Sequence, residues 1–134
     1  MLKDIPELKV TDVSIAIIRE ANEYEEMVWN VYIINYKEID LEGVIVASKG
    51  YGEINGEKKK TSVLRHLIDD LPAKSFAKIE PLMDDLIPLS NEFWVSFYLN
   101  KKIYDKKFVF LPESINDEFV VDVPLINKKG ILIN

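Results

Sequence analysis

The chain holds no cysteine, a single histidine (His66), two arginines (Arg19 and Arg65) and five glycines in 134 residues. Without cysteine there is no disulfide, no thiolate nucleophile and no cysteine-ligated metal, and a reducing, cytoplasmic location is the expectation. With one imidazole and no thiol, neither a hydrolase triad nor a histidine-rich metal site is expected. His66 next to Asp69 and Asp70 keeps the chemistry for metal binding or proton shuttling, but a surface or partly buried histidine is the simpler assignment. Long apolar runs are missing too. "VIVA" and "FVF" are far too short to span a bilayer, and "MLKDIPELKV" has no apolar stretch of the secretory kind. No membrane association is expected.

Positive charge is also in deficit. Seventeen Lys and Arg stand against 23 Asp and Glu, a formal charge of -6. Duplex DNA or tRNA is held by neutralising phosphates, so this acidic balance argues against a duplex nucleic-acid surface. A local basic patch remains compatible with it, because net charge averages over all faces.

What is present is a strand-forming alphabet. Apolar residues make up 48% of the chain and arrive in short blocks rich in Val, Ile, Phe, Tyr and Trp. Strands are expected at Val10–Arg19, Met27–Tyr36, Leu41–Ser48, Thr61–Ile68, Phe76–Glu80, Glu92–Leu99, Phe108–Leu111 and Phe119–Leu125, separated by turn-forming residues. The expected fold is therefore mainly all-β: one sandwich domain over residues 1–134 with about seven or eight strands. In "NEFWVSFYL", Phe93, Val95, Phe97 and Leu99 fall on one face and Trp94, Ser96 and Tyr98 on the other. In "VWNVYIINY", Trp29, Val31 and Ile33 share a face opposite Val28, Asn30, Tyr32 and Ile34.

Two segments fit helical as well as strand spacing. In "TSVLRHLIDDL" a strand is preferred, forming a hairpin-like unit with "LPAKSFAKI". In "KIEPLMDDLI", Pro81 suits a first helical turn, and a short helix near 80–87 or an irregular crossover is expected.

The most suggestive short stretch is "SKGYGEINGEKKKTS", Ser48 to Ser62. A phosphate loop needs Gly, four residues, then Gly-Lys-Ser/Thr opening a helix. Here only three residues separate Gly52 from Gly56, and Glu57 occupies the place of the lysine. The better assignment is a hairpin with Asn55-Gly56 at its tip, since both residues tolerate positive φ. Gly50 and Gly52 shape the entering strand, and Lys58, Lys59 and Lys60 discourage edge-to-edge pairing. Paired carboxylates at Glu25-Glu26, Asp69-Asp70 and Asp84-Asp85 are assigned to solvated loops, because adjacency in sequence does not create a converging site.

Aromatic residues carry the remaining functional signal. Trp29, Tyr32, Trp94, Tyr98 and Tyr104 either fill the core or place rings outward near Lys101, Lys102, Lys106 and Lys107. The candidate contact surface is Tyr51, Lys58, Lys59, Lys60, Arg65, His66, Trp94 and Tyr98, and a protein partner suits the acidic chain better than nucleic acid. No catalytic, metal or cofactor residue is assigned and no cofactor is expected. The alternative is a small anion- or ligand-binding protein or enzyme using the Ser48–His66 region, with Lys60, Arg65 and His66 beside an anion. The apolar tail Ile131-Leu132-Ile133 is expected to dock as an edge strand, on its own sheet or on a second copy to give a homodimer.

The run "VYIINYKEIDLEGVIVAS" (a strand ending in Asn, a polar corner, then a strand of the opposite sheet) and the Leu-Pro corner in "LIDDLPAKSFAKIEPL" resemble those of bacterial immunoglobulin-like or transthyretin-like sandwiches. The stretches "LEGVIVASKGYGEINGEKKKTSVLRHLIDDLPAKSFAKIEPLMDD", "NEFWVSFYL" and "YDKKFVFLPESI" resemble a family of small uncharacterised bacterial proteins, some labelled phenylalanyl-tRNA synthetase alpha subunit. That label would imply an accessory role in translation. It does not bring the catalytic equipment: a class II synthetase needs motif arginines and a much longer chain, and only Arg19 and Arg65 are present.

Overall fold

The structure is a computed structural model and describes residues 10–134. The stretch read for a secretory signal, and the N-terminal part of the expected single domain, lie outside the described residues except for Val10. Ten strands form two antiparallel sheets: β1 (Val13–Ala21), β2 (Met27–Asn35), β3 (Leu41–Ile54), β4 (Glu57–Lys60), β5 (Leu64–Leu71), β6 (Ser75–Leu82), β7 (Ser90–Leu99), β8 (Lys102–Phe110), β9 (Val121–Val123) and β10 (Lys128–Ile133). The first sheet runs β6-β2-β1-β10-β9. The second runs β4-β3-β7-β8, with β5 also paired to β3. No helix among the described residues is long and apolar enough to cross a membrane.

The alternation seen in the sequence builds the core. Val13, Ile15 and Ile17 of β1 and Trp29, Val31 and Ile33 of β2 point inward from the first sheet. They meet Leu41, Val44 and Val46 of β3, Phe93, Val95 and Phe97 of β7, and Phe108 and Phe110 of β8. Each such side chain contributes about 1.5–3 kcal/mol on full burial. Phe93 and Phe110 meet edge to face at 5.9 Å, and Phe97 stacks on Tyr104 at 5.6 Å.

A second, smaller core lies on the other face of the first sheet. There Ala16, Ile18 and Ile34 are sealed by Val123 and Ile126, and the Tyr36 hydroxyl donates to the Pro124 carbonyl at 3.1 Å. This cover explains why β1 and β2 carry apolar residues on both faces. The tail belongs to its own sheet: Ile15 pairs with Ile133 and Ile17 with Ile131.

Two hairpin tips follow from residues that accept positive φ. Asn55 and Gly56 join β3 to β4, and Asn100 and Lys101 join β7 to β8; all four have φ between 50° and 80°. Because the second tip closes after Lys101, β8 begins at Lys102 rather than at the expected Phe108.

Other expectations are corrected. The described residues form ten strands against the seven or eight expected, because the lysine-bearing hairpin arm and the docked tail, both anticipated, each count as one. The short helix near 80–87 is instead the end of β6 followed by a single 3₁₀ turn, Asp84–Leu86. Pro81 sits within the strand paired to Asn30, on an edge where its missing N–H costs no ladder bond. Residues 61–80 do not form a hairpin, because β5 pairs with β3 and β6 with β2. The Leu71-Pro72 corner carries the chain from one sheet to the other, held by Asn35. Its Nδ2 donates to the carbonyls of Ile39, Leu71 and Pro72 at 2.9, 3.2 and 3.0 Å.

Candidate functional site

On the second sheet, the side chains that do not enter the core form an ordered outer face. Register places them in rows across the strands. Arg65, Ala47, Trp94 and Lys107 form one row, and Leu67, Ile45, Ser96 and Asp105 the next. Glu42, Tyr98 and Ile103 form a third. Ile45, Leu67, Trp94, Tyr98 and Ile103 are all exposed, Leu67 by 71%. Large apolar side chains gathered on one face differ from the scattered exposed residues normal to a soluble surface.

The polar groups around Trp94 are organised by Glu92, which is buried at 7% exposure. Its carboxylate lies 3.6 Å from Lys49 Nζ and 3.8 Å from Lys107 Nζ, and accepts from the Tyr51 hydroxyl at 3.4 Å. Lys107 stands 5.7 Å from the centre of the Trp94 ring and Lys49 5.7 Å from that of Tyr51. Gly43, at φ +57, keeps the backbone low beside Tyr98, whose Cδ2 lies 3.7 Å from where a Cβ would be. The same residue marks the irregularity that interrupts the β3–β7 register between Glu42 and Ile45.

Of the candidate contact residues, Tyr51, Arg65, Trp94 and Tyr98 share this face, which runs from Tyr51 beside Ser90 to Tyr98 beside Glu42. Lys60 and Lys58 continue it, paired with Tyr51 and Glu53 at the hairpin arm. Lys59 turns to the opposite side and pairs with Glu57 at 3.1 Å. His66 also leaves the group: alternation along β5 sends it inward, where Nε2 meets Glu80 Oε1 at 3.2 Å. Lys60, Arg65 and His66 therefore do not converge on one anion.

Sequence reasoning missed Ile45, Leu67 and Ile103 on this face. The glycine irregularity broke the period within "LEGVIVA", and β8 was started too late to include Ile103.

Beside the His66–Glu80 pair, a cleft of about 250 Å³ opens between the two sheets, lined by Leu64, Leu82, Leu86, Phe93 and Glu80 together with residues from Ser48 to Ser62. Its carboxylate was not anticipated either. Val31 pairs with Glu80 and Tyr32 with Lys78, so Ile79 is an extra residue in β6. An unbroken register would put Glu80 opposite Asn30, on the outer face. The bulge turns it inward instead.

A third polar cluster, on the outer face of the first sheet, is saturated by its own partners. The Glu20 carboxylate accepts from Asn30 Nδ2 and the Tyr32 hydroxyl, each at 2.7 Å, and from Lys128 Nζ at 2.6 Å. Burial pushes Glu20 upward, but these donors and the Lys128 charge outweigh it and hold the carboxyl below its ordinary value. Burial and the adjacent carboxylate push Tyr32 up to about 12. Such a network fixes structure and leaves neither group free for proton transfer near neutrality.

A scan against protein-family models and a search of curated proteins found no match to this chain.

Proposed function

We propose that this chain is a non-catalytic binding module of the immunoglobulin-like kind, engaging an acidic, apolar-anchored segment of a partner protein with the outer face of its second sheet. The strand order supports the architectural part: β6-β2-β1 lies opposite β5-β3-β7-β8, and the chain changes sheet after β2, β5, β6 and β8. The β9–β10 hairpin is then an addition to β1.

The observation that carries the functional part is Trp94, exposed at 46% on a strand whose alternate residues are core. It shares the face with Ile45, Tyr98 and Ile103; Glu42 and Asp105 lie toward Tyr98, while Lys49, Lys58, Lys60, Arg65 and Lys107 lie beside Trp94 or toward Tyr51, against Glu53 and Glu92. That end of the face is basic on a chain of net charge -6, so an acidic partner segment is the complementary one. Exposed tryptophan and tyrosine beside arginine are the side chains that most often dominate protein interfaces.

The test is site-specific photo-crosslinking from positions 94 and 98, with Lys78 on the other sheet as control, followed by reconstitution with the purified partner. An adduct to one protein through an acidic segment is expected, with Trp94→Ser weakening the reconstituted complex by about 30-fold or more. Adducts to RNA, to a second copy of the chain, or equally from position 78 would refute it.

A further inference from the structure

The cleft beside Glu80 lies apart from the outer face, and its chemistry is of another kind. β5 and β6 border different sheets and are linked by the chain at the Leu71-Pro72 corner and in space by the His66–Glu80 pair. At the end remote from that corner the interior opens between Leu64 and Leu82. Leu86 and Phe93 complete an apolar wall.

Most polar groups at the cleft are already engaged. Asn91 Nδ2 donates to the carbonyls of Leu86 and Leu89 at 2.8 and 3.1 Å. Thr61 Oγ1 accepts from Gly50 N–H and donates to the Ser62 carbonyl. Lys49 is drawn to Glu92 on the outer face. Ser48 and Ser62 add neutral hydroxyls to the lining. Glu80 is the charged group with spare capacity: its Oε1 meets His66, and no other hydrogen bond or ion pair to its carboxylate is formed among the described residues. One carboxylate oxygen thus remains with acceptor capacity at an apolar cleft, and the Ile79 bulge is what aims it there.

We infer that this cleft binds a small primary ammonium compound with an apolar body, the ammonium on Glu80 and the body against Leu64, Leu82, Leu86 and Phe93. Charge decides the head group. Glu80 repels an anion, and among the described residues the one lysine lining the cleft, Lys49, is drawn to Glu92. Size decides the body: a dry cavity of about 150 Å³ takes benzene, so 250 Å³ takes roughly ten non-hydrogen atoms. This assignment is independent of the outer-face function and survives or fails separately.

The test uses n-hexylammonium, hexan-1-ol and hexanoate as probes in amide chemical-shift titrations of the full chain. Hexylammonium is expected to perturb Leu64, Glu80 and Leu82 and to bind at least tenfold more tightly than hexanoate. Glu80→Gln is expected to remove the preference for hexylammonium over hexanol while hexanol still binds. Should Glu80→Gln fail to fold, Leu64→Trp at the exposed rim closes the mouth and is expected to abolish the hexylammonium shifts. Equal binding of hexanoate, shifts confined to other parts of the surface, no binding of any probe, or binding unaffected by Leu64→Trp would each overturn the inference.

Discussion

Replacing Asn35 tests whether one amide holds the corner where two of the four crossings between the sheets, those after β2 and β5, meet. Asn35 is wholly buried. Its Nδ2 serves the carbonyls of Ile39, Leu71 and Pro72, and its Oδ1 accepts from Lys37 N–H at 3.0 Å. In Asn35→Ala the Pro72 carbonyl keeps a donor, the Ser75 hydroxyl at 2.6 Å, and the half-exposed Lys37 amide regains water. The Leu71 carbonyl loses its donor among buried residues, whereas that of the half-exposed Ile39 falls back on water. A buried group stripped of its partner costs about 1–3 kcal/mol, so the loss is about 2 kcal/mol. For a chain of this size that lowers Tm by about 6–10 °C. Urea unfolding followed by Trp29 fluorescence measures it. Asn35→Asp goes further at pH 7, because an ionised carboxylate cannot donate and faces three carbonyl oxygens. Burial raises that carboxyl above its unfolded value. Its deficit is therefore smallest below the unfolded value and grows as pH rises through the folded one. The reasoning is refuted if Asn35→Ala costs under about 0.5 kcal/mol, or if Asn35→Asp is more stable than Asn35→Ala at pH 7.

Two further outcomes bear on the first sheet. Gly130→Ala brings a Cβ to 2.7 Å from the Ile17 carbonyl oxygen and 2.8 Å from Ile18 Cδ1, so β10 must shift away from β1. A loss of about 1–3 kcal/mol is expected by denaturation, with early hydrogen exchange in β10 and little change in β3 or β7. Glu20, held below its ordinary value of 4.5, contributes stability that is present above that pH and lost as pH falls through its folded value. Unfolding curves from pH 6 to 2 are accordingly expected to show the gap between wild type and Glu20→Gln narrowing with acid; a constant gap would contradict the assignment.

Much of the face around Trp94 was legible in the chain. The period-2 alternation of "NEFWVSFYL" separates Trp94 and Tyr98 from Phe93, Val95 and Phe97 without any structure. Arg65 and Tyr51 were named for the same surface, and register brings them there. Lys59 and His66 were named with them and turn away, because alternation sends neighbours in a strand to opposite faces. A composition-based list of surface residues does not respect that alternation.

What the sequence by itself determined is the all-β class, the alternation that separates the two faces of β2 and of β7, the Asn55-Gly56 tip and the lysine arm beyond it. Those features rest on period-2 alternation and on the φ preferences of single residues, both of which are local. Only the tertiary structure decided that β5 and β6 border different sheets, that Val123 and Ile126 cover the second face of β1 and β2, and that Glu80 looks inward. Each of these depends on which distant strand lies alongside. For Glu80, a single extra residue at Ile79 exchanges one face for the other, and that exchange is defined only against the register of β2.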